Sequence, residues 1–576
     1  MKNAPPLSKR KQTLTLRSSL MQQPLFLLMF GVASGAMMVP AFYGLVVNDH
    51  NSSRAFFYAG ILGLVTFTLI AVAHAGRAPR HGTLGPLMSL FSAFVFLPVL
   101  LAIPFIEALP TTRFINVYFE MVGAMTTTGA AMFDDPARLS PTLHLWRAQV
   151  GWMGGLLMWI AASAILAPLH LGGFEVTAQA EPGRRDPSGS QTAPSNPRRR
   201  LLRVTKTLLP IYFGLTLLLW LLLLSGGQAP LVALCHAMSV MATSGISPVG
   251  GVQHADVGLS GEMVMLLFMM FALSRLTFSK DTVTATQGGL RTDPEFRIGI
   301  FVVLAVPILL FGRHFLGAYD VAAMENLSQA FYAFWGALFT VMSFLTTTGF
   351  VSEHWLDAQA WSGLPTPGLI LLGLALIGGG VATTAGGVKL LRVFALYQNG
   401  AREMERLVHP SSVSGAGAAG RRLQSNGAFI AWIFFMLFAL SLTGITLLLT
   451  LTGVRFESAI VLSIASLSTT GPLVEYAMDV PIRLIELGVW AKAILCGAMV
   501  LGRLETLAII ALAKICLIKD QTPKTFWRPP RRYLPCHPDR GVCIVRQIGG
   551  PVRGCQQEQK REFTWRLTDR TFRMRS

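Results

Sequence analysis

The chain has 576 residues, 52% of them hydrophobic and only 13% charged, with a mean hydropathy of +0.52. That balance describes a surface facing lipid and excludes a soluble basic domain, which could not house so many long apolar runs. The net charge of +19 does not point to nucleic acid, because the basic residues fall in alternate loops between apolar stretches.

A membrane helix needs roughly 20 mainly apolar residues. Ten stretches qualify: 25–47, 55–75, 84–106, 143–168, 207–225, 258–279, 298–318, 366–399, 427–452 and 483–518. The first is long and lacks a small-residue cleavage site, so it reads as a retained anchor rather than a signal peptide. Lys9, Arg10, Lys11 and Arg17 precede it, and Arg77 and Arg80 follow the second stretch. Arg184, Arg185, Arg198, Arg199, Arg200, Arg203 and Lys206 fill the fourth connection, and Arg402, Arg406, Arg421 and Arg422 follow the eighth stretch. The positive-inside rule places all of these in the cytoplasm, so both termini are expected inside.

Four hydroxyl-rich strings recur along the chain: Met125-Thr126-Thr127-Thr128-Gly129-Ala130, Met241-Ala242-Thr243-Ser244-Gly245-Ile246, Leu345-Thr346-Thr347-Thr348-Gly349-Phe350 and Leu467-Ser468-Thr469-Thr470-Gly471-Pro472. Each follows a short helix-like segment, Thr112–Met125, Ala229–Met241, Asn326–Leu345 or Glu457–Leu467, read as too short to span and therefore re-entrant. Non-helical backbone at membrane depth must be buried in protein or line water, which drives the strings toward a common axis. There, backbone carbonyls can replace a cation's hydration shell. Glycine at positions 129, 245, 349 and 471 permits dihedrals closed to other residues, so a carbonyl can turn inward and the backbones can approach closely, and the hydroxyls can brace the loops. The short helices also aim their partly negative C-termini at the axis. Asp134, Asp135, Asp256, Glu353, Asp357, Glu475 and Asp479 follow the strings, against Arg138 and Arg483, and would form an acidic vestibule.

The fold expected is therefore an all-α integral membrane protein of four pseudo-repeats, each a helix, a re-entrant pore helix with its filter loop and a second helix, around a central pore. The divisions are an N-terminus with two leading helices (1–82), repeat one (83–182), a basic loop (183–206), repeat two (207–295), repeat three (296–400), a cytoplasmic loop (401–425), repeat four (426–518) and a basic tail (519–576). From Gln521 the tail holds 13 Lys and Arg against four Asp and Glu, and contact with membrane lipid is its expected role. Of six cysteines, Cys235, Cys496 and Cys516 lie in or beside apolar segments, while Cys536, Cys543 and Cys555 lie in the tail; reduced thiols are expected, and the spacing is not that of a zinc site.

The eighth stretch is interrupted by Gly378-Gly379-Gly380-Val381-Ala382-Thr383-Thr384-Ala385-Gly386-Gly387. Each glycine is about 1 kcal/mol worse than alanine in a helix, so an intramembrane loop is expected here. Lys389 and Arg392 beyond it are read as snorkelling to the inner interface. Lys492 and Arg503 share one face of a helix roughly 16 Å apart along its axis, with Lys492 expected to meet a carboxylate. Glu505, two residues from Arg503, points elsewhere. Arg275 lies unexpectedly in an apolar stretch.

The chain resembles the Trk/Ktr/HKT superfamily of potassium transporters, most like the TrkH group with its two leading helices. The resemblance rests on Phe119-Glu120 to Ala130, Trp152-Met153-Gly154-Gly155, Ala167-Pro168 to Glu181, Leu234-Cys235-His236-Ala237-Met238 through Ser247, Ile377 through Pro410 and Lys492 through Leu507, and it spans roughly residues 25–518. It implies uptake of potassium ion across the inner membrane, no enzymatic activity, a homodimer, and a cytoplasmic TrkA-type nucleotide-binding regulatory subunit. The filter would comprise Thr127, Thr128 and Gly129, Thr243, Ser244 and Gly245, Thr347, Thr348 and Gly349, and Thr469, Thr470 and Gly471. The gate would comprise Gly379, Gly380, Thr383, Thr384, Gly386, Gly387 and Arg503. In this superfamily serine at the first filter glycine goes with sodium conduction, so Gly129 favours potassium. Sodium conduction or sodium- or proton-coupled transport is the alternative within transport; an intramembrane enzyme is the alternative outside it.

Overall fold

The computed structural model describes residues 23–74, 85–167, 197–274, 293–317, 327–364, 366–409 and 425–505, all within one unit of the chain, Met1–Lys519. The described residues form helices and loops without a strand. Two leading segments, the pair α1 (Leu25–Ala36) and α2 (Met38–Val46) and then α3 (His50–Ala73), pack on each other. Repeat one is α4 (Gly85–Ala108), α5 (Phe114–Met125) and α6 (Pro141–Ala161); repeat two is α7 (Pro197–Ser225), α8 (Pro230–Ala242) and α9 (Gly258–Met269). Repeat three is α10 (Pro294–Gly317), α11 (Leu327–Leu345), a lateral α12 (Trp355–Ser362), α13 (Gly368–Ile377) and α14 (Leu390–Val408). Repeat four is α15 (Ser425–Leu451), α16 (Phe456–Leu467), the single turn α17 (Leu473–Tyr476) and α18 (Val489–Leu504).

Eight of the described helical segments are long and apolar enough to cross a membrane: Leu25–Val46, His50–Ala73, Gly85–Ala108, Pro141–Leu166, Arg200–Ser225, Pro294–Arg313, Ser328–Leu345 and Ala428–Leu451. Seven correspond to expected spans. The stretch 258–279 is helical from Gly258 to Leu273, with residues 275–279 outside the described residues, and 366–399 is broken between α13 and α14. Correction comes at α11: with 19 residues it is not too short to span, although it ends at its string like the other three short helices.

The order of packing generates the ring. Each short helix lies against the first and second long helices of its own repeat and against the second helix of the repeat before it: α8 on α6, α11 on α9, α16 on α13. The series closes because α5 of repeat one packs on α18 of repeat four. Polar side chains within this ring are buried, whereas outward faces present Phe42, Leu69, Phe301, Leu309, Leu440 and Leu451, as lipid requires. Cys235 and Cys496 are buried free thiols. Of the other expectations, Arg77, Arg80, Arg184, Arg185, Arg275, Arg421, Arg422 and the tail 519–576 lie outside the described residues.

Candidate functional site

The four strings follow one backbone recipe. Counting from Thr126, Ala242, Thr346 and Ser468, the second residue of each occupies the left-handed region, Thr127 at φ 56°, Thr243 at 49°, Thr347 at 58° and Thr469 at 54°. A β-branched residue there is an outlier costing of order 1–3 kcal/mol, and such strain collects at functional sites. The third residue turns back onto the short helix, with Thr128 N donating to Gly123 O at 2.8 Å, Ser244 N to Ser239 O at 3.0 Å, Thr348 N to Ser343 O at 2.8 Å and Thr470 N to Ala465 O at 2.8 Å. Hydroxyls brace the loops as expected. Thr126 and Thr128 share a hydrogen bond of 2.9 Å, Thr346 and Thr348 one of 3.0 Å, and Ser468 donates to Thr470 at 3.3 Å. Repeat two has Ala242 in place of that first hydroxyl, and Ser239 pairs with Ser244 at 3.1 Å instead.

The strings meet in cyclic order. A methyl group at Gly129 would run into the Ser244 carbonyl, one at Gly245 into the Thr348 carbonyl, one at Gly349 into Pro472, and one at Gly471 into the Thr128 carbonyl and the Ala130 amide. Gly129, Gly245 and Gly471 thus admit a neighbour's backbone and Gly349 the Pro472 ring, and string four returns to string one through Gly471 N donating to Thr128 O at 2.6 Å. Gly129, Gly245 and Gly349 have positive φ, as expected. Gly471 does not, which corrects that part of the dihedral argument: the following Pro472 disfavours such a conformation and leads directly into α17. Close approach, not φ, requires glycine there.

Outside the strings, a brace that sequence reasoning missed recurs nine residues before the glycine. Glu120 accepts from Met132 N at 2.8 Å, and Thr340 accepts from Ser352 N at 3.3 Å. The corresponding residue of repeat two, Pro248, has no N–H, and His236 Nε2 instead pairs with the Ser247 hydroxyl at 2.9 Å. Glu120 is itself held by Arg147 of α6 at 2.5 Å. The signal that could have found this is the repeat register, which aligns Glu120, His236 and Thr340.

The glycine-rich segment is non-helical from Gly378 to Lys389 and lies directly beneath the strings. Gly386 N donates to Thr347 Oγ1 at 2.7 Å, and a methyl group on Gly386 would collide with the Ser468 carbonyl and Thr469 Oγ1. Within the segment Thr383 Oγ1 donates to Gly380 O at 2.7 Å, and Gly380 N donates to Ala272 O at 3.0 Å. Val381 N donates to Glu295 Oε1 at 3.0 Å. Gly379 approaches the Ala272 carbonyl, while Gly378 and Gly387 approach each other with positive φ. Arg503 Nη1 donates to Thr384 O at 2.6 Å.

Two expectations about charge are corrected. Lys389 and Arg392 do not snorkel; both are buried, Lys389 Nζ donating to Ala385 O at 2.5 Å and Arg392 pairing with Glu505 at 2.5 Å over the Phe434 ring. A charge at this depth is tolerated because oxygens and a ring face replace its water. Lys492 meets no carboxylate among the described residues; it donates to Asn116 Oδ1 at 2.8 Å and to Ile485 O at 2.9 Å. Glu505 is indeed not the partner of Arg503.

On the far side of the strings from this segment, Asp134 lies 4.0 Å from Arg483, which also approaches Glu486 at 3.6 Å. Desolvation by surrounding protein raises the Asp134 carboxyl above its ordinary range, with Glu486 adding to the rise and Arg483 opposing it. Glu475 is raised first by desolvation and then by the negative charge of Asp134. The carboxylates therefore sense one another across the mouth. Asp357 instead pairs with His354 at 3.2 Å.

Comparison with known proteins places this architecture. The family model for TrkH, described as a cation transport protein, matches residues 287–524. The Trk system potassium uptake protein TrkH of Salmonella typhimurium is 30% identical over 505 residues, covering 86% of this chain and 96% of that protein. TrkH of Escherichia coli K12 is 29% identical over 507 residues, with the same coverage. The crystal structure of the potassium transporter TrkH from Vibrio parahaemolyticus superposes with a TM-score of 0.71 at 25% identity, covering 89% of this chain and all of that one. With matching sequence over most of its length and a matching helical ring, the chain belongs to the TrkH family.

Proposed function

We propose that the protein takes up potassium through the axis of its four strings, as the membrane subunit of a Trk-type system. The cyclic meeting of the strings carries this reading: a cation on their common axis is surrounded by fixed oxygens from all four repeats, which offsets its lost hydration. Thr127, Thr128, Gly129, Thr243, Ser244, Gly245, Thr347, Thr348, Gly349, Thr469, Thr470 and Gly471 form the filter. The loop holding Gly379, Gly380, Thr383, Thr384, Gly386 and Gly387 is the gate, pinned by Arg503; swinging it aside opens the path. Its contact with Thr347 supports this assignment. The reading extends to an inner-membrane location with both termini cytoplasmic, a homodimer, and a TrkA-type regulatory subunit on the face carrying Arg402, Glu403 and Arg406.

The test is rubidium uptake into proteoliposomes by the wild type and by Gly129→Ser and Gly349→Ser. Wild-type uptake that discriminates against sodium, lost in either variant, supports the filter. Retained discrimination in both variants removes it. Failure of the wild type to restore growth of potassium-starved cells removes the transport reading itself.

A further inference from the structure

Four hydroxyls, one per repeat, stand at the strained second position of the strings, and they are not used as braces. Thr127, Thr243, Thr347 and Thr469 are each at most 1% exposed. The Oγ1 atoms of Thr127, Thr243 and Thr469 are buried without a hydrogen-bond partner. A buried hydroxyl left unpaired is costly, of order 1–3 kcal/mol, and three at repeat-equivalent positions are not independent accidents. Their chemistry is that of buried neutral oxygen acceptors, suited to an alkali cation.

The fourth member breaks the symmetry in an informative way. Thr347 Oγ1 accepts the Gly386 N–H at 2.7 Å. Gly386 also crowds Thr469 Oγ1 so closely that no side chain fits between them. The gating loop thus presents the positive end of an amide to the oxygen a cation would use, and its backbone fills the space below strings three and four.

Building on the transport reading above, we infer that the Thr127, Thr243, Thr347 and Thr469 hydroxyls form the innermost potassium site, which the Gly386 amide leaves incomplete until the loop withdraws. Ion and closed loop compete for the Thr347 hydroxyl. Occupancy of the site therefore favours the open gate, and gate opening raises the affinity of the site by the same factor, as linkage requires.

The experiment uses the full chain with Thr127→Val, Thr243→Val, Thr347→Val, Thr469→Val and, as a control for folding, Thr347→Ser. Potassium binding is measured by calorimetry on purified protein, and resting rubidium leak is measured in proteoliposomes. All four valine variants are expected to bind potassium more weakly. Thr347→Val alone is also expected to release the loop, leaking about fivefold more than the other three, the ratio given by loss of one buried hydrogen bond. Thr347→Ser is expected to restore both properties. Wild-type binding in the Thr127, Thr243 and Thr469 variants overturns the site, and an equal leak in all four valine variants overturns the competition. A wild type that binds and carries no rubidium overturns instead the transport reading on which the inference rests.

Discussion

Arg147 Nε lies 2.5 Å from Glu120 Oε1, and the other oxygen of that carboxylate, Oε2, accepts the Met132 amide at 2.8 Å. One ion pair thereby joins the second helix of repeat one, its short helix and the segment leaving its string. Arg147→Met leaves a buried carboxylate without its counter-ion and is expected to cost about 3–5 kcal/mol. The double variant Glu120→Gln with Arg147→Met is expected to lose less than Arg147→Met alone. Thermal unfolding in detergent measures both, and simply additive losses would contradict the coupling.

Arg503 holds the gating loop through a single carbonyl, that of Thr384. Its other nitrogens, Nε and Nη2, are buried and have no hydrogen-bond partner among the described residues. Arg503→Gln removes the charged hydrogen bond to Thr384 O. With such a bond worth about 1.5–3 kcal/mol, resting rubidium leak is expected to rise roughly tenfold or more. A leak unchanged from wild type would separate this arginine from gating.

Arg392 stacks with its guanidinium carbon 3.6 Å from the Phe434 ring centroid. Phe434→Leu keeps the apolar volume and loses the ring face, at an expected cost of about 1–2 kcal/mol for a desolvated pair. The loss should disappear in an Arg392→Met background, read again by thermal unfolding.

Acidification on the Asp134 and Glu475 side should weaken uptake. Both carboxyls are raised, so they lose their charge at a higher pH than free carboxylates do as acid is added, and the mouth stops concentrating cations. The decline is expected to begin above the free-carboxylate range of about pH 4. Glu475→Gln should flatten the profile measured by rubidium uptake against pH on that side, and an unaltered profile would exclude the pair.

The repeated elements were legible because repetition makes its own signal. Four hydroxyl–glycine strings behind short apolar segments predicted four loops drawn to one place, and five glycines in ten residues predicted the break between α13 and α14. Long-range pairing was not legible. Nothing local to Lys389, Arg392 or Lys492 announces Ala385 O, Glu505 or Asn116, and the last two partners lie 113 and 376 residues away. Proximity to a helix end suggested snorkelling, whereas specific oxygens made burial affordable. That the Thr127, Thr243 and Thr469 hydroxyls find no partner among the described residues was likewise hidden, because sequence shows a hydroxyl but not whether a neighbour satisfies it. At Gly471 the expected close approach of backbones holds and the expected unusual dihedral does not.

Because the ring is drawn from one polypeptide, its quarters are free to diverge. In an assembly of identical subunits any substitution appears on every side of the axis at once, an all-or-nothing experiment. Here Ala242 replaces the hydroxyl found at Thr126, Thr346 and Ser468, Pro472 stands at one wall only, and of the four threonines Thr347 accepts a hydrogen bond from the loop while Thr469 is only crowded by it. Natural selection can therefore adjust conduction in increments, altering one side of the ring while three others keep the ion in register.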